Sequence, residues 1–271
     1  MKKTNSKQIK NIPDKWQFPA FDVTEFFSKK NKYCVCVFVI NEGEKVQKQL
    51  EKMSVYSNII DVIVADGGST DDSLSENFLA RNKIRTLLTK NGSGKLSAQM
   101  RMAFTWALSE GYEGVVVVDG NGKDDIAAIP NFVRLLDEGY DHIQGSRFIK
   151  GGKAINTPLE RLIAVKLIHA PLISLAARNI HTDTTNGFRA YSANLLKDDS
   201  IAVFRDIFAT YELHYHLAIE SSRDNNFKII ETPVTREYPK KGKTPTKISP
   251  IKGNIKVLYI LVNAISGRYR K

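Results

Sequence analysis

Val115 to Asp125 reads VVVVDGNGKDD and puts four oxygen-bearing side chains, Asp119, Asn121, Asp124 and Asp125, within seven residues. Carboxylate and amide oxygens are hard donors of the kind Mg2+ or Mn2+ prefers, with a diphosphate able to complete the shell. Four consecutive β-branched valines suit a strand buried on both faces. Asp119, Gly120, Asn121 and Gly122 are turn formers. In an open α/β sheet, ligands bind just beyond the carboxyl ends of the strands. The stretch therefore delivers a cluster suited to metal and phosphate to a sheet edge. The same residues also make an ordinary strand and polar turn, so other stretches must decide.

Several elements carry polar residues to that same edge. Tyr33 to Ile40 (YCVCVFVI) reads as a strand ending at Asn41-Glu42-Gly43-Glu44, with a helical pattern to about Met53. Ile59 to Ala65 is a second strand, ending at Asp66-Gly67-Gly68 and Asp71-Asp72. Its glycines allow close backbone approach to a ligand, and Asp71 or Asp72 can cap the next helix. A short strand over Ile84 to Thr89 leads to Asn91-Gly92-Ser93-Gly94-Lys95, which opens a helix to about Ser109. After the central strand come a helix over 129–138 and a short strand over His142 to Gly145. A long apolar helical region follows over 158–179, broken at Pro171. A loop turns into a strand over 182–191, a helix covers 209–220, and a last strand covers 227–234. An apolar helix over 255–265 ends the pattern. Strands and helices alternating with short connections predict an α/β fold on a mainly parallel sheet.

At 271 residues, with 42% hydrophobic and 25% charged content, the chain reads as an ordinary soluble globular protein with one large core. Cys34 and Cys36 share one face of a strand, which predicts buried thiols in a reducing compartment; their spacing does not suit zinc. The first sixteen residues lack the apolar core of a signal peptide, and no run of 18 apolar residues predicts a membrane span. Charge is uneven. Residues 236–271 hold ten Lys/Arg against one Glu, and residues 1–32 hold eight Lys against three acids, leaving a slightly acidic middle. Basic ends beside apolar helices suit an anionic membrane surface. A nucleic-acid binder would instead spread its basic residues over the folded face, so no nucleic acid is expected.

From Tyr33 to about Arg236, three quarters of the chain, the motifs together resemble family-2 glycosyltransferases of the GT-A fold. The branch they resemble most holds dolichol-phosphate mannose synthases and bacterial polyprenyl-phosphate sugar synthases. The resemblance is carried by Asn41-Glu42, VIVADGGSTDDS (62–73), GSGKLSAQ (92–99), VVVVDGNGKDD, GSRF (145–148) and D-x-x-NGFR (183–189). It implies a Rossmann-like mainly parallel mixed sheet flanked by helices. The chain then divides into a basic arm over 1–30, a GT-A domain over 31–236, and a basic loop with an apolar helix over 237–271. By the same resemblance, Asn41, Glu42, Asp66 and Gly67 line the nucleotide base and ribose, with Gly94 and Lys95 beside them. Asp119, Gly120 and Asn121 occupy the metal-binding D-x-D, which takes Mg2+ or Mn2+. Arg147 and Arg189 face the diphosphate or an acceptor phosphate, since a guanidinium fork fits phosphate oxygens. Lys243 and Lys247 lie where relatives have a loop that closes over the substrates. The sequence departs from the pattern at Asn121, which drops a charge, and at Lys123, which can neutralise phosphate directly.

The implied reaction is an inverting transfer from a UDP- or GDP-type sugar. Departure of the diphosphate builds negative charge, which a divalent ion and arginines stabilise as it forms. The expected acceptor is a polyprenyl-phosphate at the cytoplasmic, inner membrane face, with the enzyme peripheral to it. The alternative is a hydroxyl of a surface polysaccharide or lipid-linked glycan precursor. A hydroxyl needs a general base and an ionised lipid phosphate does not. Asp183 and Glu212 are the base candidates, with loop fixing (Asp183) and a solvated helix face (Glu212) as their other readings. A nucleotidyltransferase and a non-catalytic nucleotide-sugar binder are the rivals from other classes. GSGK followed by Leu96 lacks Walker spacing, which excludes a P-loop ATPase.

Overall fold

The structure, a computed structural model, describes residues 1–5, 9–240 and 252–270. Along the chain run β1 (Lys2–Asn5), β2 (Phe21–Glu25), β3 (Tyr33–Val39), α1 (Glu44–Met53), β4 (Asp61–Asp66), α2 (Glu76–Arg81) and β5 (Ile84–Lys90). Then come α3 (Leu96–Ser109), β6 (Gly114–Asp119), α4 (Ile129–Asp137), β7 (His142–Ser146), β8 (Lys153–Ile155), α5 (Leu159–Ile163) and α6 (Ala170–Ala177). The chain closes with β9 (Arg189–Ser192), α7 (Ala193–Lys197), α8 (Glu212–Arg223), β10 (Ile229–Pro233), β11 (Thr235–Glu237) and α9 (Lys252–Ile265).

Among the described residues nine strands form one mixed sheet in the order β1-β2-β5-β4-β3-β6-β9-β7-β10, and β11 and β8 form a second, two-stranded one. The centre, β5-β4-β3-β6, is parallel throughout. Alternation along the central strands divides the core between its two faces. Cys34, Cys36, Phe38, Val115 and Val117 face one cluster, closed by α3, α6, α8 and α9. Val35, Val37, Val39, Val116 and Val118 face the other, closed by α1 and α4. All four valines of VVVV are fully buried, each contributing about 1.5 kcal/mol by removal from water. Both cysteines are free and buried, on one face as their spacing predicts.

Within the basic N-terminal segment, residues 21–25 join the sheet: β2 pairs antiparallel with the edge of β5, and β1 pairs with β2. The reason is the alternation in Phe21-Asp22-Val23, which buries Phe21 and Val23 and leaves Asp22 in solvent. Pro171 does not break its helix. The helical run over 159–177 is continuous, and the turns over Ala164–His169 just ahead of Pro171 are π-helical, a local departure from the α-helical ladder of the kind that accompanies a proline inside a helix.

Candidate active site

The register of the central strands sets the spacing of the site. Phe38 pairs with Asp119 on one side of β3, and Val39 pairs with Asp66 on the other. The two aspartates thus flank β3 at the same edge, two strand spacings or roughly 10 Å apart, so a nucleoside can lie across the gap. Gln49 of α1 fixes the turn after β6: its Nε2 donates to the Asp119 carbonyl at 3.0 Å and its Oε1 accepts from Gly122 N at 2.8 Å. On the opposite wall Gly187 brings bare backbone against the Asp119 carboxylate. A Cβ there would stand 3.1 Å from Asp119 Oδ1, which accounts for the glycine of NGFR.

At the β3 and β4 tips the predicted nucleotide residues stand together and build their own loop. Asn41 takes a left-handed backbone at φ 47°. Its N–H donates to Ser69 Oγ at 3.0 Å, and its Oδ1 accepts from Thr70 N at 2.7 Å. Asp66 accepts from the Ser69 N–H at 2.9 Å and its hydroxyl at 2.6 Å. Asp71 accepts from Gly43 N at 2.8 Å, tying the two strand tips. Gly67 packs over Gln99 of α3, whose Nε2 donates to the carbonyls of Val39 and Ala65. Glu42 lies at the same corner, 4.0 Å from Lys45. Gly94 holds φ at +97°, and a Cβ there would come within 2.5 Å of Ala98. The Lys95 N–H donates to Ala209 O at 2.7 Å, tying this loop to the entrance of α8, while its side chain stays exposed.

Beside Asp119 the structure assembles residues that the motifs do not announce. Arg236 of β11 donates from Nη2 to Asp119 Oδ2 at 3.1 Å and ion-pairs through Nη1 with buried Asp124. Burial works against the Arg236 charge, but Asp124 and Asp119 outweigh it and hold the guanidinium more firmly protonated. Asn121 donates to Asp119 Oδ2 at 3.3 Å and accepts from the Lys123 N–H at 3.2 Å. The Lys123 ammonium sits 5.4 Å from the Tyr238 ring centre, and the guanidiniums of Arg161 and Arg236 sit 5.8 and 5.9 Å from it. Burial, then Arg236, push the Lys123 pKa below its ordinary value. Burial pushes the Tyr238 phenol up, but Arg236, Arg147 and Arg161 together bring it below its usual pKa. Burial and then the Asp119 charge raise Tyr211, at the mouth of α8. The sequence signal for Arg236 and Tyr238 is faint: R-E-Y after the last predicted strand, charge and ring on one side of an extended segment.

Four predicted site residues do other work. Asp183 is not an available base. Both its oxygens accept from the Arg147 fork, at 2.6 Å from Nε and 2.8 Å from Nη2, and the pair is buried. Arg147 accordingly faces Asp183 and the Thr185 hydroxyl. Arg189 does not face a phosphate: it is 1% exposed, and its guanidinium donates to the carbonyls of Asn186, His214 and Thr184 at 2.8–2.9 Å. Glu212 is not on a solvated helix face. Buried at the start of α8, it accepts from Thr210 N at 2.6 Å and from the Thr210 hydroxyl. Lys243 and Lys247 lie outside the described residues.

For a divalent ion the donor set is thin but of the right chemistry. Asp119 Oδ1 and Asn121 Oδ1 are hard oxygens at the sheet edge. Among the described residues no three His, Cys, Asp or Glu side chains stand together as a ligand group. Asp119 and Asn121 would supply two oxygens to an ion held here, and a diphosphate and water would have to supply the rest of its shell.

A parallel sheet core whose strand tips gather Asp66, Asp119 and Asn121 at one edge has the architecture of the GT-A glycosyltransferase fold. The fold matches solved glucosyl-3-phosphoglycerate synthase from Mycobacterium tuberculosis, in complex with Mn2+, UDP and phosphoglyceric acid, at a TM-score of 0.60 and 17% identity, over 86% of this chain and 78% of that one. Residues 34–200 match the family model described as glycosyl transferase family 2, and the chain belongs to that family. It is 27% identical over 207 residues to polyprenol monophosphomannose synthase of Mycolicibacterium smegmatis, covering 74% of this chain and 76% of that protein. It is 28% identical over 200 residues to undecaprenyl-phosphate mannosyltransferase of Micrococcus luteus, covering 72% and 79%.

Proposed function

We propose that the protein transfers a sugar, with inversion, from a UDP- or GDP-type donor to a polyprenyl phosphate. The observation that carries the choice of acceptor is the state of the two base candidates. Asp183 is locked in the Arg147 fork, and both carboxylate oxygens of Glu212 are taken by the N–H and hydroxyl of Thr210. An acceptor hydroxyl needs a base within hydrogen-bond reach, whereas a phosphate monoester arrives ionised. The relatives named for polyprenol and undecaprenyl phosphate support the same acceptor. In this reading Asn41, Glu42, Asp66 and Gly67 hold the nucleoside, with Gly94 and Lys95 flanking it. Asp119 and Asn121 hold Mg2+ or Mn2+ at the diphosphate, and the ion, when bound, draws off charge from the leaving group. Arg161, beside Tyr238 and Arg236, waits on the acceptor side.

The lipid side of the site is apolar and uncovered. Leu159, Ile163 and Leu167 recur every fourth residue on the outer face of the helical run, and Leu167 and Leu175 are 72% and 80% exposed. On α9, which packs on α8 and touches α6, Ile255, Leu258, Tyr259 and Val262 are also exposed. Exposed Lys166, Arg178 and Lys256 border this surface. A groove of about 370 Å³ lies between Phe148, Lys166, Ala170, Pro171 and Thr182. Apolar side chains with a basic border suit an anionic membrane surface. No helix among the described residues is long and apolar enough to cross a membrane. The enzyme in this reading rests on the cytoplasmic face as a peripheral protein.

The test is transfer of labelled sugar from UDP- and GDP-sugars into a micellar short-chain polyprenyl phosphate. Label extracted into organic solvent as an acid-labile glycolipid is the expected result. Transfer only to a glycan hydroxyl, or release only of pyrophosphate, rejects the reading. Joint Leu167→Glu and Leu175→Glu substitution should lower affinity for anionic vesicles at least tenfold in co-sedimentation, since each buried side chain contributes about 1 kcal/mol or more. Unchanged vesicle binding removes this surface from the membrane.

A further inference from the structure

Part of the N-terminal segment, which precedes the family match beginning at residue 34, is built into the frame of the donor site. The loop over 91–95 reads Asn-Gly-Ser-Gly-Lys. Two glycines and a serine give it little side chain to pack, so ordering it alone costs much backbone entropy. The near end of the loop is held by residues 19–22. Asn91 N and Gly92 N both donate to Ala20 O, at 2.8 and 3.0 Å. Asn91 Nδ2 donates to Asp22 Oδ2 at 2.8 Å. A Cβ on Gly92 would stand 2.9 Å from Pro19 Cβ, so loop and segment meet at backbone distance. The far end is held by the residues before α8: Lys95 N donates to Ala209 O at 2.7 Å and Ser97 N to Thr210 O at 2.8 Å. Residues 16–17 hold that support in turn. Trp16 stacks on Phe204 with ring centres 3.8 Å apart, and Gln17 N donates to Phe204 O at 2.8 Å. Gln17 Oε1 accepts from Asp206 N at 2.8 Å. Buried Arg101 of α3 closes the frame, its guanidinium donating to Phe208 O at 3.1 Å and to Gln17 O.

We propose that residues 16–22 are a brace that pre-forms the 91–95 loop for the donor nucleotide, with Trp16, Gln17 and Arg101 as positioning residues acting through that loop. The proposal rests on the reading above in which Gly94 and Lys95 flank the nucleotide. A loop ordered before the ligand arrives spares the binding step the entropy of ordering it, so the brace tightens nucleotide binding. It reaches both ends of the loop, one directly and the other through 204–210.

The experiment compares the full chain as wild type, as the double variant Trp16→Ala and Gln17→Ala, and as Trp16→Phe. UDP and GDP are titrated calorimetrically with Mn2+ present, and hydrogen exchange is followed in peptides covering 91–97 and β6. The double variant should bind the nucleotide that wild type binds at least fivefold more weakly. Its 91–97 amides should exchange at least tenfold faster while those of β6 keep their wild-type rates. Trp16→Phe keeps a ring on Phe204 and should stay within twofold of wild type in both readings. Gln17→Ala alone, the milder change, should move both readings in the same direction as the double variant. Unchanged affinity, unchanged exchange at 91–97, or faster exchange in β6 to the same degree overturns the proposal, the last because it marks a general loss of stability. Wild type that binds neither nucleotide sinks the donor-site reading and the proposal with it, whereas binding that the double variant matches sinks the proposal alone.

Discussion

The turn after β6 and the loop before β9 use the same residue types to opposite ends. Residues 119–125 hold Asp, Asn and Lys at a sheet edge, and the Asp119 side chain keeps 28% exposure. Residues 183–189 hold Asp, Asn and Arg, yet Asp183, Asn186 and Arg189 are at most 1% exposed. In the first, a charge from another part of the chain reaches in to balance a carboxylate open to a ligand. In the second, charges are satisfied by one another and by backbone carbonyls. The lesson is that polar residues at a strand end can do chemistry or architecture, and the partner decides which. The loop before β9 still serves the site, because Gly187 shapes the wall facing Asp119.

The strongest way to break this contrast is to remove one charge from each side. Arg147→Met leaves the Asp183 carboxylate buried without its partner, and such a loss costs about 3–5 kcal/mol. A large drop in the urea midpoint is expected; unchanged stability would free Arg147 for a substrate role. Asp119→Asn should do the reverse. Stability should change by less than about 1 kcal/mol, while kcat falls about 10²–10³-fold through lost stabilisation of developing charge. Full turnover in Asp119→Asn would erase the distinction between the two loops.

Much of this was legible before any coordinates. The four-valine strand, the Asp66 and Asp119 tips, and the mainly parallel sheet follow from β-branched runs and turn formers that local physics reads directly. The alternation that places β2 at the sheet edge is also present in Phe21-Asp22-Val23, but the lysines around it gave the segment a tail's composition. The partners were not legible. Arg236 reaches Asp119 across more than a hundred residues of chain, and the Arg147–Asp183 pair spans thirty-six. Sequence spacing carries no signal for such contacts. Glu212 looked like surface because its helix neighbours are polar; its burial comes from α3 and the loop before it, through Lys95, Ser97 and Thr210.

Acid sharpens the comparison, since the β9 side packs neutral histidine against a buried arginine. Burial, then Arg189, depress His181 to about 4, against 6.5 when free. The folded state therefore refuses a proton that the unfolded chain accepts. No penalty applies above pH 6.5; it grows as pH falls toward 4 and is complete below that. By pH 5 it amounts to about 2 kcal/mol. Urea midpoints of wild type and His181→Gln, measured at pH 7.5 and 5, should diverge in that direction. Parallel pH dependence would place His181 in a polar, solvated setting instead.

Within the β6 turn itself the finest division falls between neighbouring aspartates. Asp124 is buried on Arg236, but Asp125 is exposed, and its Oδ1 accepts from Ala127 N at 3.1 Å to cap the short helical turn that leads into α4. A cap of this kind contributes about 1 kcal/mol. Asp125→Ala should lower stability by about that amount and leave UDP and GDP affinity within twofold of wild type, with and without Mn2+. The position is adjacent to the site in sequence, carries the same charge as Asp119, and lies on the same loop. A tenfold loss of nucleotide or metal affinity in Asp125→Ala would mean that proximity along the chain, rather than the partner each carboxylate has, assigns its role.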